Sequence, residues 1–406
     1  MKRILFALQL LTITLLLMVS CKPKDTNSQQ NGNSIGTVPV ETERTAHVLS
    51  FDDKALYDTL SYSNIIQSVN YIPLETRQEA FIGHRVNGIK RMRDKYIIMS
   101  RNGMTPSFKL FNADGTYYTD ALTIGRGPIE MTFFSSYTFN DSTGLITFLD
   151  SEGGKAVKMD MASLEKKRFS VTNGTKYARL VALDNGNFLS LATNYDSKRT
   201  ADKPVPFMYL LNQDFQIVDS VCDMVNREKK TIEGVTDGPE LQVFLSQYPG
   251  GAIYKDMLND TVFFIDNNLH FKPIAIFDFG KRRPTLKESN NDSWEKKKNK
   301  IYIRNVDVMD DYIHVTYDYD KLFYEAIWSL ESGQLLYQSS LDLIGINVSC
   351  DSFHGRMPIN NYIGNNLCFP ANAADLITVI PGLKPDDNVV LVEITLNPGV
   401  HKSQFL

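Results

Sequence analysis

The residues whose types and spacing could do chemistry are few, and most are loop arginines and carboxylates. Arg126 lies in Gly125-Arg126-Gly127-Pro128, with Glu130 close behind. Two glycines let the backbone approach a ligand closely, and a guanidinium between them could hold a carboxylate or a phosphate. The same residues also suit a tight turn in which Arg126 pairs with Glu130 or a neighbouring segment. No Lys-Ser/Thr pair follows at Walker spacing, so the segment is not a phosphate loop. Arg101-Asn102-Gly103 follows a predicted strand and places a second cation in a loop, where contact sites concentrate. A charged surface loop would read the same way. Arg101, Arg126 and Glu130 are the candidate ligand-binding residues.

Asp318 and Asp320 alternate with Tyr317 and Tyr319. Carboxylates two residues apart share one face of a strand and could ligate a hard cation such as calcium. The further oxygen ligands and the glycine of a calcium loop are not evident. The histidines (His47, His84, His270, His314, His354 and His401) show no HExxH spacing, and no GxSxG elbow occurs. His314, in a predicted strand, reads as a packed residue. Catalytic residues stay unassigned, and neither a metal set nor a cofactor is indicated.

The elements that must position these residues are short strands. The stretch Phe108–Glu130 reads strand, turn, strand, then a Gly-rich crossing. Phe108, Leu110 and Phe111 are β-formers, Asn112-Ala113-Asp114-Gly115 is turn chemistry, and Tyr117-Tyr118 opens the return strand. Degenerate copies recur. Asn112–Gly115, Asp160–Leu164, Asn212–Asp214, Asp266–Asn268 and Glu331–Gly333 read as equivalent outer turns, about 50–60 residues apart. Stacking four-stranded sheets radially buries their faces and leaves only short edges exposed. The expected fold is therefore an all-β, six-bladed β-propeller of four-stranded antiparallel blades over residues 46–406. The strand Val389–Leu396 should complete a blade begun near the start of the chain and so close the ring. The charged, Asn-rich insert Lys281–Lys300, containing Trp294, interrupts the pattern and should project from one face.

Hydrophobic content of 43% and charged content of 22% suit a globular chain with a real core. A net charge of −4 gives no global field for nucleic acid. Lys296-Lys297-Lys298 follows Glu295 and reads as a solvated face. The N-terminus is an address: Lys2 and Arg3 precede an apolar run, Ile4–Val19, shorter than the ~20 residues of a membrane span. It ends in Leu17-Met18-Val19-Ser20-Cys21, which resembles a bacterial lipoprotein signal and implies a lipidated Cys21 after a signal peptide over 1–20. Residues 21–45 are polar and read as a flexible tether. Of the remaining cysteines, Cys350 and Cys368 could pair in an oxidising compartment. Otherwise they and Cys222 are small buried hydrophobes.

The chain resembles the six-bladed β-propeller lipoproteins of Bacteroides-type bacteria, which are distantly NHL-like. The resemblance rests on Tyr71-Ile72-Pro73-Leu74-Glu75-Thr76, Phe81-Ile82-Gly83, Gly125-Arg126-Gly127-Pro128 with Glu130, Leu258-Asn259-Asp260-Thr261-Val262, and Asp387-Asn388 before the last strand. It implies the fold, the lipid anchor and an outer-membrane address, facing the periplasm or the cell surface, but no substrate and no catalytic set. The expected function is a monomeric, non-enzymatic binding module for a glycan, a peptide or an envelope protein, touching the membrane through its lipid. The alternative is a lyase or hydrolase at the mouth of the propeller channel.

Overall fold

The structure, a computed structural model, describes residues 46–51, 66–83, 85–102, 105–150, 152–171, 177–192, 206–222, 244–255, 260–284, 299–320, 322–341, 346–350, 353–357, 362–363 and 366–397. Cys21, the tether, Gly103 and residues 285–298 of the insert lie outside the described residues.

The chain opens with β1 (His47–Ser50) and β2 (Ile66–Pro73), both of which join later blades. Blade 1 is β3 (Arg85–Met92), β4 (Lys95–Asn102), β5 (Thr105–Asn112) and β6 (Tyr117–Asp120). Blade 2 is β7 (Ser136–Asn140), β8 (Leu145–Asp150), β9 (Lys155–Asp160) and β10 (Lys166–Ser170). Blade 3 is β11 (Tyr177–Ala182), β12 (Phe188–Ala192), β13 (Pro206–Leu211) and β14 (Ile217–Cys222). Blade 4 is β15 (Phe244–Tyr248), β16 (Gly251–Lys255), β17 (Thr261–Asp266) and β18 (Phe271–Asp278), and β1 adds to it as a fifth, outermost strand parallel to β18. Blade 5 is β19 (Tyr302–Val308), β20 (Tyr312–Tyr319), β21 (Leu322–Ser329) and β22 (Leu335–Leu341). A separate hairpin, β23 (Ile346–Cys350) with β24 (Phe353–Met357), precedes blade 6, which is β25 (Tyr362–Ile363), β26 (Asn366–Ala371), β27 (Val390–Leu396) and, outermost, β2. The fold is the expected six-bladed propeller. The sequence reading had neither the fifth strand on blade 4 nor the β23–β24 hairpin.

The ring closes by hydrogen bonds between β2 and β27, antiparallel from Ile66↔Leu396 to Pro73↔Val390. Pro73 is the last residue of an outermost strand, where its missing N–H costs no ladder bond. Asn388 fastens the closure. Its side chain accepts from the Ile82 N–H at 3.1 Å and donates to the Glu75 and Ala80 carbonyls at 3.1 and 3.0 Å. The Tyr71–Thr76 and Asp387-Asn388 motifs thus meet, 306 residues apart for Asn388 and Ile82, as one latch.

The outer turns are copies of each other. In each, a residue with positive φ (Gly115, Leu164, Phe215, Leu269 and Gly333) donates its N–H back to a carbonyl three or four residues earlier, at 2.9, 2.9, 3.0, 3.2 and 2.9 Å. In the middle three, the Asp160, Asn212 and Asp266 side chains accept two turn N–H groups each, as Asx turns do. Glycine is required at Gly115 for two reasons. Its φ is +87°, and a Cβ there would stand 2.2 Å from the Pro73 carbonyl oxygen.

The core lies between blades. Phe108, Leu110, Phe148 and Met159 fill the contact of blades 1 and 2; Phe277, Trp328, Tyr317 and Phe51 fill that of blades 4 and 5. Each fully buried large apolar side chain contributes about 1.5–3 kcal/mol. Cys368 is a free, buried thiol in the contact of blades 6 and 1, so it makes no bond to Cys350.

Candidate functional site

Antiparallel strand order fixes which ends of the blades carry which connections. The links between successive blades and the turns between second and third strands leave one face, called upper here. First-to-second and third-to-fourth strand turns leave the lower face. Arg101 at the end of β4, the Arg126 segment and the described ends of the 281–300 insert therefore share the upper face.

The blade 1 to blade 2 link is pinned at many points. Gly125 donates to the Met131 carbonyl and Met131 to that of Thr123, both at 3.0 Å. The Glu130 carboxylate folds back and accepts the Gly127 N–H at 2.7 Å. It fills the hollow over Gly125, where a Cβ would lie 2.0 Å from its oxygen. Asp150, fully buried, accepts from the Thr132 N–H and hydroxyl, the Phe133 N–H and the Gly153 N–H at 3.2, 2.9, 3.3 and 2.6 Å. Lys155 donates to the Glu130 carbonyl. With its polar groups used internally, this ordered loop turns Ile124, Ile129 and Phe133 outward at 37%, 44% and 54% exposure. Arg126 stands exposed among them with no ion pair among the described residues. The Arg101 Nε is buried and has no hydrogen-bond partner among the described residues.

The first strands β3, β7, β11, β15, β19 and β25 surround the axial channel. Those of alternate blades carry a register shift at the same upper level, between Val86 and Gly88, Tyr177 and Arg179, and Ile303 and Asn305. Bulges re-aim side chains and recur beside functional sites. Around them lie the Asn87 Oδ1, buried with no partner, and Arg179, with no ion pair among the described residues. Arg179 is exposed, and nearby protein lowers its pKa by desolvation. Arg304 is already taken by Asp318, at 2.6 Å through Nε. That ion pair also occupies one of the two carboxylates considered for calcium. Lower down, Lys90 has its pKa lowered by burial, partly offset by the Asp307 carboxylate. Lys90 belongs to blade 1 and Asp307 to blade 5, so their interaction runs across the channel. The Gln247 Oε1 on β15 is also buried without a partner.

Behind Asp307 a polar line enters the contact of blades 5 and 6. The fully buried His314 lies 3.9 Å from Asp307 through Nδ1 and 3.3 Å from Glu325 through Nε2. Burial disfavours the imidazolium, but bonds and charge from Asp307 and Glu325 prevail and push its pKa up to about 9. Burial raises the Glu325 carboxyl, against the pull of His314. His314 is packed, as its strand setting suggested, but packed as a charge. Lys90, Arg179 and Asp307 were missed by sequence reasoning. The available signal was a charged residue in the first strand of a repeat, visible only once the repeats are superposed.

Residues 47–395 match the model of a family described as a domain of unknown function, DUF4934, and the chain belongs to it. No protein of curated function matches the chain. Among solved structures, a Bacteroides fragilis protein provisionally assigned as exported is similar with a TM-score of 0.65 at 15% identity, covering 86% of this chain and 100% of its own. A DUF4221-family member from Bacteroides vulgatus has a TM-score of 0.50 at 8% identity, covering 82% and 99%. At these identities the likeness is one of fold.

Proposed function

We propose that this protein is an exported, lipid-anchored, non-enzymatic binding module, held at the outer membrane through Cys21, whose upper face takes a glycan, a peptide or an envelope protein. The observation that carries this reading is the blade 1 to blade 2 loop. Its Asp150 and Glu130 bonds hold it rigid while it exposes Ile124, Ile129, Phe133 and Arg126. An aromatic, aliphatic groups and an arginine on a pre-ordered loop are the anchor pattern of protein and peptide recognition. The test is a melting-temperature screen of the full chain against peptides, oligosaccharides and envelope proteins. A ligand at 100 times its Kd adds about 2.7 kcal/mol. A hit lost on Phe133→Ser and Arg126→Ala supports the reading; hits indifferent to both substitutions overturn it.

The second reading, a lyase or hydrolase at the channel mouth, draws on the Lys90–Asp307–His314–Glu325 line. His314 is fully buried, so only Lys90 and Asp307 could meet a substrate. Turnover of a bound ligand that disappears in Lys90→Met would favour it.

A further inference from the structure

Among the described side chains, Phe81 and Phe133 are the two exposed phenylalanines, at 49% and 54%. Both stand on links between blades, one on each side of blade 1. Phe81 lies on the link from blade 6 to blade 1, between Ala80 and Ile82, which are buried. Asn388 bonds both of those neighbours, the Ala80 carbonyl at 3.0 Å and the Ile82 N–H at 3.1 Å. Phe81 is therefore held outward by ordered backbone, as Phe133 is by the Asp150 bonds. Lys109 joins the two links: its ammonium donates to the Glu79 carbonyl at 2.5 Å and to the Asp120 carboxylate at 2.9 Å. Phe81 is two residues from Glu79 and Ile124 is four from Asp120, so Phe81 and Ile124 lie within about 30 Å of each other. That matches the width of an interface burying about 800 Å² per partner.

The two links carry opposite free charges. Arg126 stands between Ile124 and Ile129 in the chain, and Glu79 two residues before Phe81; both are exposed, with no ion pair among the described residues. Arg77 and Lys109 are already engaged, by Glu75 and Asp120. The remaining polar side chains are turned inward. Glu130 accepts from Gly127, Asp150 from Thr132 and Gly153, and Asn388 from Ile82. A sugar needs converging donors and acceptors for its hydroxyls, and here those groups are consumed within the protein.

We infer, resting on the upper-loop reading above, that Phe81 and the Ile124–Phe133 loop form one recognition surface for a polypeptide segment. That segment carries two large apolar side chains, a carboxylate set against Arg126 and a cation set against Glu79. The aromatic and aliphatic anchors supply affinity, and the opposed charges fix the direction in which the segment lies.

The test pans a phage-displayed library of short random peptides on the full chain, then titrates the enriched sequence as a synthetic peptide. The expected peptide carries large apolar residues with an acidic and a basic residue well separated. Phe81→Ser and Phe133→Ser should each weaken its binding by about tenfold or more. Both rings are exposed, so the melting temperature should hold within a few degrees. Arg126→Glu should weaken binding as well, and replacing the acidic residue of the peptide by Lys should restore binding to that variant. Peptide binding that survives Phe81→Ser but not Phe133→Ser would overturn the two-link surface and leave the single-loop reading standing. Binding that survives both substitutions would overturn the two together. No enrichment of apolar residues, or an oligosaccharide whose binding on an array is abolished by Phe81→Ser, would overturn the polypeptide assignment.

Discussion

On the lower face, five outer turns close on their own carbonyls and side chains, and the inner turns reach across to their neighbours. Arg93 donates to the Asp141 and Ser142 carbonyls of blade 2 at 3.0 Å each. Asn140 donates to the Leu183 carbonyl of blade 3 at 2.6 Å, and Asp184 accepts the Gly250 N–H of blade 4 at 2.9 Å. The upper face and the channel differ. There the 121–135 link is tied by backbone and carboxylate bonds, but among the described residues Arg126 and Arg179 have no ion pair, Lys90 is offset only in part by Asp307, and three large apolar side chains face water. Polar groups saturated within the protein hold a ring together. Those left unsaturated are available to something else, and the exposed upper loop is what supports the binding reading proposed above.

The comparison breaks most visibly at His314, a buried charge saturated by two carboxylates near the channel. His314→Ala should cost about 3–5 kcal/mol, because it removes the cationic partner of the fully buried Glu325 and leaves a cavity beside it; chemical denaturation measures it. The same site sets a pH dependence. A histidine whose folded pKa is about 9 rather than 6.5 contributes stability that is complete below pH 6.5 and is lost as pH rises through 9. The raised Glu325 carboxyl acts in the same direction, since it too holds its proton more tightly when folded. The expected loss on the alkaline side is about 3 kcal/mol, and melting curves from pH 6 to 10 should show it in the wild type and much less of it in His314→Ala.

A smaller effect is expected on the upper face. Asp150→Ala leaves the Thr132, Phe133 and Gly153 donors without their acceptor and should cost about 2–3 kcal/mol. It should also loosen the loop, so ligand binding at Phe133 would weaken with it. On the lower face, Leu164→Gly should stabilise by about 1 kcal/mol, since Leu164 is exposed and holds a φ of +61° that glycine adopts freely. Smallest of all, Arg126→Ala should shift stability by no more than about 0.5 kcal/mol while lowering affinity for an upper-face partner. If Arg126→Ala were as damaging as Asp150→Ala, the division between saturated and available groups would fail at its clearest point.

The sequence alone determined the blades. Strand alternation and the turn chemistry of Asn112–Gly115, Asp160–Leu164, Asn212–Asp214 and Asp266–Asn268 are local, and each hairpin writes its own signal within about a dozen residues. It also placed Arg126 in the crossing between the first two blades, whereas Arg101, expected in a loop, is the second-last residue of β4. The fifth strand on blade 4 was not legible, because β1 pairs with β18 more than 200 residues away and His47–Ser50 looks like any short strand. The channel was hidden for the same reason. Lys90, Arg179 and Asp307 sit in three different repeats, and each reads alone as an ordinary charged residue in a strand. Only closing the ring sets Lys90 of the first blade against Asp307 of the fifth. Charge coupling depends on distance in space and on the medium between the groups, and neither quantity is written in a sequence.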